Sequence, residues 1–113
     1  KRVYYPGLPS HQHHDVACRQ MKGYGAVVTF EVKDDNEYVL QFLSALNIIC
    51  IGPSLGGVEA LITHPATISY YDKTREERLE LGIKDGLIRL AVGVENAEDL
   101  IEDIDQALAK ADK

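Results

Sequence analysis

Two stretches decide how this chain reads: Pro53-Ser54-Leu55-Gly56-Gly57-Val58-Glu59, and Gly86-Leu87-Ile88-Arg89-Leu90-Ala91-Val92-Gly93. The first leaves a short apolar strand through a turn, with paired glycines where backbone must bend or come close to something else. The second is a strand carrying one cation inside an apolar run. Extended backbone sends Ile88, Leu90 and Val92 to one face and Leu87, Arg89 and Ala91 to the other. Arg89 thus sits among hydrophobic neighbours, where an unpaired charge costs several kcal/mol or more. Its guanidinium needs an anionic partner. The planar fork grips a carboxylate bidentately, so the partner is either a carboxylate of the chain, the ordinary case for an arginine in a strand, or one brought by a ligand.

Outward from these stretches, secondary structure alternates. A strand over Arg2–Tyr5 is stopped by Pro6-Gly7 and Pro9. Ser10 is the expected N-cap of a helix from His11 to about Lys22, with Gly23 as its stop. Val16, Ala17, Gln20 and Met21 share one side of it, and Asp15 pairs with Arg19. After Gly23-Tyr24-Gly25, alternation of Val28, Phe30 and Val32 with Val27, Thr29 and Glu31 predicts a half-buried strand over Ala26–Val32. Asp34-Asp35-Asn36-Glu37 resembles a capping box opening a helix through Leu46, whose stripe Tyr38, Val39, Phe42, Leu43 and Leu46 is read as core. Ile48-Ile49-Cys50-Ile51 is apolar on both faces and is expected to be an interior strand, with Cys50 as a small buried hydrophobe. Val58–Ile62 is the next strand, broken by His64-Pro65. Thr74-Arg75-Glu76-Glu77 is a second capping box, for a helix ending at Gly82. Asn96 caps the last helix. Ala97, Leu100, Ile101, Ile104, Leu108 and Ala111 are expected inward, and Glu98, Asp99, Glu102, Asp103 and Asp105 outward on a solvated acidic face.

The 113 residues are enough for one domain. A formal net charge of −6 and a sequence pI near 5.1 argue against nucleic acid or an anionic membrane surface as partner. No apolar run approaches membrane-spanning length, and Lys1-Arg2-Val3-Tyr4 leads into a strand-like segment with no signal core. Cys18 and Cys50 are too few and too far apart for a disulfide framework or zinc site, so a reducing cytoplasm, or an organelle behind a transit segment, is expected. His11, His13 and His14 make a weak metal set, because only His11 and His14 share a helix side and no carboxylate or thiolate completes it. His64 has no visible partner that would make it a base. No phosphate-binding glycine loop occurs.

The segments PSLGGVEALITHPA (53–66) and GLIRLAVGVENAEDLIEDIDQAL (86–108), together with VYYPGLPSH (3–11), resemble the C-terminal domain of the pyridoxal-phosphate enzymes of cysteine and methionine metabolism. That group comprises cystathionine gamma-synthase, cystathionine gamma-lyase, cystathionine beta-lyase and methionine gamma-lyase. The resemblance runs from Val3 to Leu108. It implies an α+β fold, a small, mostly antiparallel sheet with helices packed on it, docked on a larger cofactor domain. It also implies that Arg89 holds the substrate α-carboxylate, that Ser54 lies at the same carboxylate, and that Leu55 approaches through its backbone. No residue of the chain is implied to bind the cofactor or a metal. Pro53 stands where some lyases carry an acidic residue and Ser69 where threonine is frequent. These pocket neighbours lean toward cystathionine synthesis or cleavage over methionine cleavage.

The resemblance further implies pyridoxal 5'-phosphate as cofactor, held by a domain this chain lacks. Lys73 and Lys84 do not match the family's cofactor lysine, so the chain alone is expected to be inactive. The whole enzyme would act on a sulfur amino acid by elimination or replacement at Cβ or Cγ, as a homodimer or homotetramer. A different class stays open: a free-standing acidic amino-acid-binding or interaction module.

Overall fold

A computed structural model describes residues 2–113. Its strands are β1 (Arg2–Tyr4), β2 (Val27–Glu31), β3 (Cys50–Ile51), β4 (Leu61–Thr63) and β5 (Leu87–Ala91). Its helices are α1 (His14–Gln20), α2 (Asn36–Ser44), α3 (Arg75–Glu80) and α4 (Ala97–Ala111). The strands form one sheet in the order β1-β2-β5-β4-β3. Three of its pairings are antiparallel and β3–β4 is parallel. This is the expected α+β class.

The expected face assignment of β5 holds. Ile88 and Leu90 are buried, in register with Phe30 and Val28 on β2, and Leu90 also faces Ile62 on β4. Ile62, Ile88 and Leu90, with Val39, Phe42 and Leu43 of α2 and Leu100 and Ala107 of α4, form the core, and Phe30 packs against it. The helices α2 and α4 therefore cover one side of the sheet, and the Phe30 and Phe42 rings meet edge to face at 6.3 Å. Arg89 lies on the other side.

Capping chemistry explains most helix starts. Asp35 accepts from the Glu37 N–H, Thr74 and Glu77 close a full capping box, and Asn96 accepts from the Glu98 and Asp99 N–H groups. The first helix departs from expectation. It begins at His14 with no side-chain cap, because residues 5–14 wind through three successive four-residue turns and the His11 Nδ1 takes the His13 N–H. It ends at an extended Met21, ahead of Gly23, and Val16 and Met21 are exposed. The helix after Asp35 likewise stops at Ser44 rather than Leu46.

Three further expectations are corrected. The Ile48–Ile51 segment is not an interior strand: only Cys50 and Ile51 pair, at the sheet edge, and Cys50 is exposed while Ile49 is the residue that enters the core. The strand placed at Val58–Ile62 is shifted to Leu61–Thr63, and residues 53–60 form an irregular loop in which Val58 is 74% exposed. On α4, Ile101 is 66% exposed and Ala97 is exposed, whereas Asp103, expected outward, is buried. Its carboxylate accepts the N–H groups of Asn47, Ile48 and Ile49 at 2.8, 2.9 and 3.0 Å. It satisfies the backbone donors left where the chain leaves α2 and no ladder has yet begun. Burial pushes this carboxyl up, but those donors and the Gln106 amide outweigh it and hold it below the ordinary carboxylate range.

Candidate functional site

Directly opposed residues of an antiparallel pair point to the same face. Arg89 is opposed by Thr29 on β2 and by Thr63 on β4, so the three side chains form a row across the helix-free face of the sheet. Arg89 is half-buried at the centre of this row. Its Nη2 donates to the carbonyls of Pro53, at 2.6 Å, and Ser54, at 3.1 Å. Its Nε is buried and has no hydrogen-bond partner. Among the described residues no carboxylate lies within ion-pair distance of it. The internal ion pair, which is the ordinary answer for a strand arginine, is absent here, and the charge is partly compensated by carbonyl dipoles alone.

The loop that meets Arg89 is built to bend there. Pro53 gives up no N–H, and Gly56 has φ 78°, a left-handed conformation in which a side chain is strained. Ser54 reaches Arg89 through its carbonyl, and Leu55 beside it is 55% exposed. The loop's far end is anchored by the half-buried Glu95, whose Oε2 accepts the Ala60 N–H at 2.8 Å, and by the Val94 N–H, which donates to the Val58 carbonyl. Pro53, Ser54, Leu55 and Arg89 are thus brought together. Ser69 is exposed in the turns between β4 and α3 and makes no hydrogen bond to Arg89.

The other sequence candidates lie elsewhere. His64 is fully buried; its Nδ1 is 2.9 Å from the Thr67 hydroxyl and its Nε2 donates to the Asp85 carbonyl at 2.5 Å. A carbonyl can only accept, so the Nε2 carries a proton, and burial lowers the ring's pKa, which favours its neutral form. Asp85 itself is buried under Arg78, at 2.8 Å, and Arg75, at 3.0 Å. That cluster is internally satisfied. His14 donates through Nδ1 to the Pro6 carbonyl at 2.8 Å, with Cys18 Sγ 3.3 Å from its Nε2. Among the described residues no group of three or more His, Cys, Asp or Glu side chains is placed to hold a metal ion. No described helix is long and apolar enough to cross a membrane.

Residues 1–109 match the model of the Cys/Met metabolism PLP-dependent enzyme family. The chain belongs to that family. It is 53% identical over 106 residues to the chloroplastic cystathionine gamma-synthase 1 of Arabidopsis thaliana, covering 94% of this chain but 19% of that protein. It is 47% identical over 110 residues to the L-methionine gamma-lyase of Fusobacterium nucleatum subsp. polymorphum, covering 97% of this chain and 28% of that one. The fold superposes with a TM-score of 0.89 on the cystathionine gamma-synthase of Xanthomonas oryzae pv. oryzae, solved in complex with cystathionine, at 44% identity over 99% of this chain and 29% of that one. The cystathionine gamma-lyase of Lactobacillus plantarum, complexed with L-serine, gives 0.87 at 39% identity over the same shares. The chain therefore spans less than a third of these relatives and corresponds to the C-terminal portion of the family.

Pyridoxal phosphate is the family's cofactor, and no enclosed lysine that would hold it is found among the described residues. Every described lysine is exposed; Lys84 is paired with Glu31 at 3.4 Å and Lys33 lies over the Tyr38 ring. The segment offers an open cation at Arg89 and no enclosed amine. The sequence singled out Arg89 and its turn, but not Thr63 and Glu95, which the structure places beside them. Thr63 lay beyond the expected strand end, and the shifted register is what sets it opposite Arg89.

Proposed function

We propose that this segment supplies the substrate α-carboxylate site of a pyridoxal-phosphate-dependent enzyme of sulfur amino acid metabolism. The reading is of the cystathionine gamma-synthase or cystathionine beta- or gamma-lyase type, acting by elimination or replacement at Cβ or Cγ. The observation that carries it is the half-buried Arg89, which has no carboxylate partner among the described residues and a buried, unbonded Nε. A guanidinium so placed recovers its desolvation cost when a carboxylate arrives. Pinning of Nη2 by the Pro53 and Ser54 carbonyls limits the rotamers lost on binding, which favours a fixed substrate orientation. Ser54 and Leu55 line the approach, with Pro53 and Ser69 as neighbours.

The cofactor, its lysine and the remaining substrate contacts belong, on this reading, to the part of the protein outside the segment, and the whole assembles as a homodimer or homotetramer. The exposed Leu55, Val58 and Val94 around the loop favour a docked domain over a free-standing module. In the full-length protein, Arg89→Ala should raise KM for the amino-acid substrate by about 30-fold or more, the cost of stripping one partner from a desolvated charge pair. The cofactor's visible absorbance should stay. An unchanged KM removes Arg89 from this role.

A further inference from the structure

Arg89 has a long side chain, and two carbonyls fix its orientation. Both belong to a loop that has just left the sheet. The parallel ladder between β3 and β4 continues one step past Ile51, where the Gly52 N–H donates to the Ile62 carbonyl at 3.0 Å. The next residue, Pro53, has no N–H to extend it. At that point a side chain takes over: the Thr63 hydroxyl donates to the Gly52 carbonyl. Thr63 is only 2% exposed, and its backbone is locked in the sheet opposite Arg89, with its side chain on the same face.

A continuous path of bonds therefore runs from the buried Thr63 hydroxyl to the Gly52 carbonyl, through the next peptide to the Pro53 carbonyl, and on to Arg89 Nη2. Without the hydroxyl, the Gly52 carbonyl loses that donor, and at this end the loop keeps only the Gly52 N–H and the Arg89 side chain itself as ties to the sheet. We infer that Thr63 is a positioning residue for substrate binding: its hydroxyl holds the Gly52–Ser54 turn so that the Pro53 and Ser54 carbonyls orient Arg89 toward the incoming carboxylate. Thr63 touches neither substrate nor cofactor. This role rests on the α-carboxylate reading of Arg89.

The test compares Thr63→Val, which keeps the branched shape and removes the donor, with Thr63→Ser, which keeps the donor, in the full-length holoenzyme. Thr63→Val should raise KM for the amino-acid substrate about three- to tenfold, the worth of one such hydrogen bond. Its kcat should change less than its KM, and the cofactor absorbance should stay as in the wild type. Thr63→Ser should restore KM. Combined with Arg89→Ala, Thr63→Val should add nothing, since it acts only through that side chain. A wild-type KM in folded Thr63→Val overturns the inference, as does a KM effect that persists undiminished on the Arg89→Ala background. Should Thr63→Val fail to fold, Thr63→Cys, a weaker donor of similar size, decides the matter: a KM above that of Thr63→Ser supports the role and a wild-type KM overturns it. If Arg89→Ala itself leaves KM unchanged, the carboxylate reading falls first. If it raises KM while Thr63→Val does not, only the role of Thr63 is lost.

Discussion

Replacing Asp103 by Asn changes almost no volume, yet it should loosen the junction between α2 and β3. The carboxylate takes four donors: Asn47 N–H and the Gln106 amide on Oδ1, and Ile48 and Ile49 N–H on Oδ2. An asparagine side chain has one acceptor oxygen and one NH2 group, so whichever way it turns, two of the four donors face another donor. Each buried donor left without a partner costs about 1–3 kcal/mol. Gln106 has other acceptors in the Ala45 and Asp103 carbonyls, which relieves part of this. The local cost is then about 2–4 kcal/mol, and amide exchange at residues 47–49 should speed up about 30-fold or more. Hydrogen exchange read by mass spectrometry on the full-length protein resolves that peptide, with the β2 and β5 peptides as internal controls. Because donors to the charged form depress the Asp103 carboxyl, the wild-type protection is present above about pH 4 and is lost as the pH falls through the lower folded-state value. The substituted protein should lack that acid step. Wild-type exchange at 47–49 in the Asp103→Asn protein would refute the assignment of this buried carboxylate as the junction's hydrogen-bond hub.

Two other perturbations follow from the same geometry. His64 is held neutral by burial between Thr67 and the Asp85 carbonyl, with a folded-state pKa below that of the unfolded chain. In the window below about pH 6.5 the unfolded state binds the extra proton, so stability should fall with acidification there and be fully present above it. His64→Gln should flatten that part of the thermal-unfolding profile against pH, and an identical slope in both proteins would show that His64 does not titrate as described. At Gly93 a Cβ would fall 2.5 Å from the Ala60 nitrogen and 2.5 Å from the Glu59 carbonyl carbon, both backbone atoms that cannot step aside cheaply. Gly93→Ala should cost about 1–3 kcal/mol and push the 53–60 loop off its Glu95 anchor, seen as faster limited proteolysis within that loop. Unchanged cleavage would mean that the loop is held from its other end.

What the sequence disclosed follows from which forces act locally. Helix starts at Asp35, Thr74 and Asn96 were legible because a cap is a contact within three residues. The faces of β5 were legible because strand alternation is strict. Asp103 was not, since four of five acidic residues in its run are exposed and nothing within the helix distinguishes the one that turns in. Its partners lie more than fifty positions away. The Ile48–Ile51 run misled for a related reason. Apolarity on both faces predicts cover on both sides, but here the strand ends the sheet, and Cys50 and Ile51 are exposed.

The site divides along the same line. That a cation in an apolar strand needs an anion is a local inference, and it singled out Arg89. Which anion is a question of three dimensions, and a segment can answer it only by what it fails to provide. Had an Asp or Glu of the described chain stood against Arg89, as Asp85 stands against Arg75 and Arg78, the charge would be a stabilising element of the fold and closed to further chemistry. Instead the fold spends two carbonyls of an exposed loop, and behind them a buried threonine, on holding the guanidinium still without neutralising it. Carbonyl dipoles orient a cation at far less electrostatic cost to a later ligand than a carboxylate would, because no full charge must be displaced. A fold selected only for stability gains more from pairing Arg89 or replacing it with an aliphatic side chain. On the proposed reading, that free charge is what the substrate carboxylate meets.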